Sequence, residues 1–163
     1  MNKRLSTLLA GGLACGLLIA GTPALVMAAD SPPPPRDFPG KRDDPDYAAA
    51  QKAIAASDFG GARPLLEKVI AREPNNADAY NLLAYSIRKN GDPARAVPIY
   101  EKALSLDPKH RGAHEYLGEA YLALNDVAKA KQHLAALDKL CFFPCSEYKD
   151  LKNAIDAYET SKR

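Results

Sequence analysis

The sequence carries almost no excess of charge. Lysine and arginine number 22, aspartate and glutamate 20, and the formal net charge is +2. Two of the positive charges, Lys3 and Arg4, sit at the extreme N-terminus, and the first 28 residues contain no acid. Beyond that segment 20 basic side chains (22 − 2) face 20 acidic ones. A balanced chain lacks the basic face that phosphate binding needs, which argues against nucleic acid as the main partner. It also lacks a polybasic membrane anchor. Tryptophan is absent. Paired carboxylates, an activated serine and a phosphate-cradling glycine loop are all missing: Gly60-Gly61 sits at a helix–helix turn with no accompanying lysine motif. The sequence therefore points away from an enzyme and implies no cofactor. Alanine, by contrast, is abundant, and it is the strongest helix former. The first expectation is an all-helical protein of one domain.

The N-terminus reads as an address. Lys3 and Arg4 precede an uncharged, apolar or small-residue run from Leu5 to Ala20. Gly21, Thr22 and Pro23 break it, and Val26-Met27-Ala28 offers a small-residue cleavage site. This order predicts a secretory signal peptide over 1–28 and a periplasmic or secreted location. Pro23 and the glycines weaken the rival reading of an uncleaved membrane helix, and no stable membrane anchor is expected after processing. Gly12-Leu13-Ala14-Cys15 lacks the aliphatic residue that a lipoprotein signal requires. Residues 29–42 then form a proline-rich linker. The four prolines Pro32 to Pro35 favour an extended, semi-rigid spacer.

A period of 34 residues runs through the rest. Ala62, Ala96 and Ala130 share one column, and Leu66, Tyr100 and Leu134 another. Val69, Ala103 and Leu137 form a third. Ala50, Ala84 and Gly118 align, as do Asp58, Asp92 and Asp126. Internal repeats of this length signal a stacked helical array. Each unit reads as two helices. In the middle unit Tyr80, Leu83, Ala84 and Ile87 fall at helical spacing from Asp78 to Lys89. Asn90-Gly91 tolerates a left-handed stop, and Asp92-Pro93 starts the next helix. Pro64 and Pro98 occupy one column inside the second helices. The units are 43–76, 77–110 and 111–144, within a repeat region of 43–145. Large residues such as Leu83 must meet small ones such as Ala96 and Gly118 for paired helices to interdigitate.

Tyr80-x-x-Leu83-Ala84, followed by Gly91-Asp92, Ala96, Tyr100, Ala103 and Pro108, resembles a tetratricopeptide repeat. His114-x-x-Leu117-Gly118-x-x-Tyr121 with Ala130 and Leu134 is similar. The first unit departs at its start, where Asp46 stands in the usual aromatic column. The resemblance implies a right-handed helical-hairpin solenoid of three units with a C-terminal capping helix. It also implies a concave groove lined by the first helices, with another protein as the partner. Mapped onto the outward columns, the groove comprises Tyr47 and Gln51, then Asn81, Tyr85 and Arg88, then Glu115, Tyr116 and Glu119. Tyr85 stands out as an aromatic on a face that the core does not need, and tyrosine and arginine are favoured interface anchors. Arg88 in one region and Glu115 with Glu119 in another suit a peptide or helix of mixed charge. The basic clamp by which a subset of the family grips chaperone C-termini is not present. The exposed edge of the first unit makes a homodimer a further expectation.

The C-terminal segment breaks the pattern. Cys141-Phe142-Phe143-Pro144-Cys145 replaces the usual turn, and Ser146 is placed to cap a last helix carrying Tyr148, Leu151, Ile155 and Tyr158 on one face. Residues 146–163 are read as that capping helix and its tail. With the signal removed, Cys141 and Cys145 remain, and an even count in an oxidising compartment suggests a disulfide. Two alternatives stay open. One is a redox dithiol. The other is an envelope metal site using Cys141, Cys145 and His133. His110 and His114, four apart, are a further metal pair only if both share a helix face; His110 reads as a turn residue and His114 as a packing residue.

Overall fold

The computed structural model describes residues 44–162. The segments read as signal peptide and linker lie outside them. Seven α-helices and no strand occur among the described residues: α1 Pro45–Ala55, α2 Phe59–Arg72, α3 Ala77–Lys89, α4 Pro93–Leu106, α5 Arg111–Ala123, α6 Val127–Leu140 and α7 Ser146–Ser161. Each helix packs on its neighbours in the chain, and α5 also receives α7.

The local chemistry repeats with the sequence. Asp58, Asp92 and Asp126 are the N-caps of α2, α4 and α6, each accepting the N–H three residues on, from Gly61, Arg95 and Lys129 at 2.8–3.0 Å. One otherwise unpaired donor at each helix start is thereby satisfied. Immediately before each cap the backbone turns left-handed: Ser57 at φ 60, Gly91 at φ 95 and Asn125 at φ 62. Only Gly91 of the Asn90-Gly91 pair takes this conformation; Asn90 keeps φ −83. Pro64 and Pro98 lie inside α2 and α4, and both helices run on past them. The α1 start is held differently from the other first helices. Asp44 caps Asp46 and Tyr47, and Arg72 at the end of α2 pairs with both Asp44 and Asp46 at 2.8 Å. Asp46, in the column where an aromatic is usual, thus closes the first helix pair by charge.

The repeat columns are the core. Ala62, Ala96 and Ala130 are fully buried, as are Val69, Ala103 and Leu137, and Leu66 and Tyr100. Leu134 packs against this cluster from a half-buried position. Small side chains at the alanine column let the helices of a pair approach, and each fully buried Leu contributes roughly 1.5–3 kcal/mol.

The last helix closes the array. Leu151 and Ile155 are buried, and Tyr148, Ala154 and Tyr158 pack beside them. Leu151 lies directly over Gly118 of α5: a Cβ at that glycine would stand 2.6 Å from Leu151 Cδ2. The Tyr158 hydroxyl donates to Asn125 Oδ1 at 2.8 Å, and Lys131 pairs with Glu159. One expectation is corrected at its start. The N-cap is Cys145, without a side-chain cap bond, and Ser146 is already the first helical residue. Its hydroxyl instead donates to Glu147 Oε2 at 3.2 Å. The chain leaves Cys145 extended, at ψ 170, so Ser146 starts the helix rather than flanking it.

Candidate partner-binding site

The first helices α1, α3 and α5 carry the eight residues expected to line the groove. Their surroundings differ from the expectation of an outward, non-core face. Tyr47, Asn81, Tyr85, Glu115 and Tyr116 are buried, and Gln51 and Glu119 are half-buried. The middle helix is enclosed on nearly every side, since Asn81 through Ile87 are all buried. Tyr85 therefore belongs to the core cluster. The physical reason is an aromatic ladder. The Tyr85 ring lies 4.8 Å from that of Tyr116 and 6.0 Å, edge-on, from that of Phe59, so it bridges three helices. Such ring pairs add to plain burial.

Arg88 is the centre of the cluster. Its guanidinium carbon stands 5.4 Å from the Tyr85 ring centroid and 5.7 Å from that of Tyr116. Nη2 pairs with Glu119 at 2.7 Å, and Nε points at the Tyr100 hydroxyl at 3.5 Å. The charges are thus joined across two units, which corrects the expectation of separate positive and negative regions. The attraction between a guanidinium and a carboxylate one repeat apart favours that closure. Burial works against the Arg88 charge, but Tyr100 and Glu119 outweigh it and hold its pKa above the usual value. Burial in turn raises Tyr100 and Tyr47, so both stay neutral phenols. Tyr100 was legible as a core column; its reach from α4 to Arg88 was not.

Asn81 is the outlier. Its side chain is fully buried, yet among the described residues neither Nδ2 nor Oδ1 finds a hydrogen-bond partner. The Tyr47 hydroxyl is in the same state. Leaving a buried amide unpaired costs about 1–3 kcal/mol, so such a group calls for a partner.

At the far end of the array, Cys141 and Cys145 lie with sulfurs 2.12 Å apart and Cα atoms 5.8 Å apart, as a disulfide. In this bridged state the sulfurs offer no thiolate to a metal. Phe142 and Phe143, enclosed by the bridge, are 94% and 76% exposed. The histidines pair otherwise than expected. His110 caps α5 by accepting the Ala113 N–H at Nδ1, 3.0 Å, and sets Nε2 3.0 Å from Asp78. His114 faces His133, with their Nδ1 atoms 3.0 Å apart. That contact was readable in principle, because an antiparallel helix pair that sets Leu117 near Ala130 also sets 114 near 133. Among the described residues no group of three or more His, Cys, Asp or Glu converges.

Comparison with known proteins places this architecture. A tetratricopeptide-repeat family model matches residues 88–158, and a second matches 65–97. The cellulose synthase operon protein C of Escherichia coli strain K12 is 37% identical over 68 residues, which are 40% of this chain and 6% of that protein. The chain thus corresponds to a small part of the curated relative it matches. Among solved structures, MamA from Desulfovibrio magneticus RS-1 superposes with a TM-score of 0.56 at 26% identity, over 58% of this chain and 54% of that one. The Yersinia enterocolitica type III secretion translocator chaperone SycD has a TM-score of 0.63 at 16% identity, over 72% and 92% of the two chains, and shares the fold. The two family models together span 65–158, more than half of the sequence, on a fold of stacked helix pairs, and the chain belongs to the tetratricopeptide repeat family.

Proposed function

We propose that the protein is an exported adaptor that holds a segment of another protein against its first helices. The observation that carries this reading is Asn81. Its amide is buried with an idle donor and an idle acceptor among the described residues, and the main chain of an extended segment, which presents both partners, would meet it once the first helices part to admit the segment. The rim residues Gln51, Arg88 and Glu119 retain exposure, Arg88 at 14% and Glu119 at 26%, and would meet the segment first. The arginine clasped by two tyrosines supplies an anchor of the kind that dominates binding energy at interfaces. Relatives and neighbours support a protein-interaction scaffold: repeat arrays of this family present such surfaces, and the translocator chaperone among the neighbours is named for its protein client.

The test is a crosslinking pull-down from an envelope extract with processed protein and an Asn81→Leu variant. The expected result is one partner captured by the parent and lost by the variant, with a synthetic segment of that partner reproducing the difference. Equal capture by both proteins would overturn the site. N-terminal sequencing of the mature protein from a periplasmic fraction checks export. A start near Ala29 is expected, and an intact Met1 in the cytoplasm would refute it.

A further inference from the structure

We propose that Phe142 and Phe143 are the docking site for the proline run of the chain's own N-terminal segment, Pro32 to Pro35. The inference is independent of the groove. These two are the most exposed large apolar side chains among the described residues, at 94% and 76%. The bridge between Cys141 and Cys145 closes the loop that carries them, so the chain holds them out in water. Their rings stand edge to face, with centroids 4.9 Å apart and planes at 89°. Two perpendicular rings form a corner that can receive a proline ring, and aromatic surfaces are the usual receptors of proline-rich segments. A proline run is extended before it docks, so little chain entropy is lost. The same rings of a second copy are a poorer occupant. Four phenylalanines bury at most about 1,000 Å² together. A stable interface begins at about 1,200 Å².

The topology sets the distance to be crossed. Arg88 pairs with Glu119, and Leu151 lies over Gly118, so residues at similar distances from their helix starts meet. The helices α3, α5 and α7 therefore run parallel, and α1 stands in the same place in its own unit. Their N-termini share one edge of the array. Asp44 is at that edge as the cap of α1, and the loop of Phe142 and Phe143 is there just before α7. Packed helices lie about 8–10 Å apart, so three steps from α1 to α7 span about 24–30 Å. The proline run lies outside the described residues, and its position in the sequence fixes its reach. Pro35 is nine residues before Asp44 (44 − 35) and Pro32 is twelve (44 − 32). At ~3.3 Å per residue these lengths reach about 30 and 40 Å. The four prolines thus bracket the far side of the span, with slack for a bent path. A tether this short keeps the two groups at an effective concentration on the order of millimolar, at which a contact of two rings can form.

The experiment is nuclear magnetic resonance of the processed protein, with trypsin cleavage after Lys41 as a second readout. Beside it stand a Phe142→Ser/Phe143→Ser variant and one in which Pro32 to Pro35 are all serine, both verified as folded by circular dichroism. The expected result is proton–proton contacts between the proline rings and the two phenylalanine rings, unchanged on tenfold dilution. Cleavage should be at least fivefold faster in either variant. Contacts that vanish on dilution would place the segment on a second copy and overturn the proposal. Absence of the contacts, or equal cleavage of all three proteins, would overturn it as well and leave the aromatic pair uncovered by its own chain.

Discussion

The side chain of Asn81 sets stability against binding. Its amide is buried without a partner among the described residues, so replacing it by leucine, close in size, removes a desolvation cost. We expect Asn81→Leu to raise the urea unfolding free energy by about 1 kcal/mol while abolishing capture of the partner. A variant that is less stable than the parent would show that the amide is already satisfied. The left-handed residues offer a second measurement at this scale. Ser57 holds φ 60 without glycine's freedom, whereas Gly91 occupies the matching position one repeat on. Ser57→Gly should stabilise by up to ~1 kcal/mol in denaturant titration. The same change at Asn125 should not, because it also deletes the bond from Tyr158. The column was visible in the sequence as the position before each aspartate cap. Its conformation was readable only at Gly91, since serine and asparagine also serve in ordinary turns. The sequence placed Asn81 on an outward face, and its burial was not legible: how side chains fill the space between helices is not encoded by a 34-residue period.

Between elements, two contacts decide how α5 is held. One is the seat of Leu151 on Gly118. Gly118→Ala gains helix propensity of about 1 kcal/mol but forces a methyl into a packed leucine, a change that typically costs about 1–3 kcal/mol. The net effect should be destabilising, and Leu151→Ala in the same chain should recover part of it. Additive losses in the double variant would show that the two positions do not touch. The glycine was readable as a small residue in the alanine column; that it serves the last helix, not a repeat, came from the structure. The other contact is the imidazole pair. Burial first, and then His114, push His133 down to about 4 from an ordinary 6.5. Above 6.5 the ring is neutral folded or unfolded, and its packing contributes in full. As pH falls from 6.5 toward 4, the unfolded chain binds the proton first and stability drains away. The melting temperature should therefore fall across that window, and His133→Gln should flatten the fall. A parallel profile in the variant would assign the slope to carboxylates instead.

For the whole molecule, the question is how an array of stacked pairs ends. A stacked unit buries its face only against a neighbour, and an unfinished end leaves apolar surface in water. The helix α7 takes the place that the first helix of a fourth unit would occupy, against α5 and α6. The disulfide at its root spans four residues. Closing so short a loop is worth about 2 kcal/mol on the chain-entropy estimate. Replacing both cysteines by serine should lower stability by about that amount. Amide exchange should quicken in α7 before it does in α3. Uniform acceleration along the chain would mean that the bridge steadies the entire array, not its last member. Fold class and the presence of the closing helix were legible, because both rest on periodic apolar positions and on punctuation by Asp, Gly and Pro. The pairing of Arg88 with Glu119 was not, since it joins side chains from separate units whose facing depends on the stacking angle. The absence of tryptophan now has a use. Three tyrosines, Tyr85, Tyr100 and Tyr116, stand in ring contact around the Arg88 cation, with centroids 4.8 and 6.5 Å apart. With no indole to outshine them, tyrosines alone set the ultraviolet emission, three of the eight stand in this cluster, and a segment settling against Arg88 would register as a change in that emission without a dye.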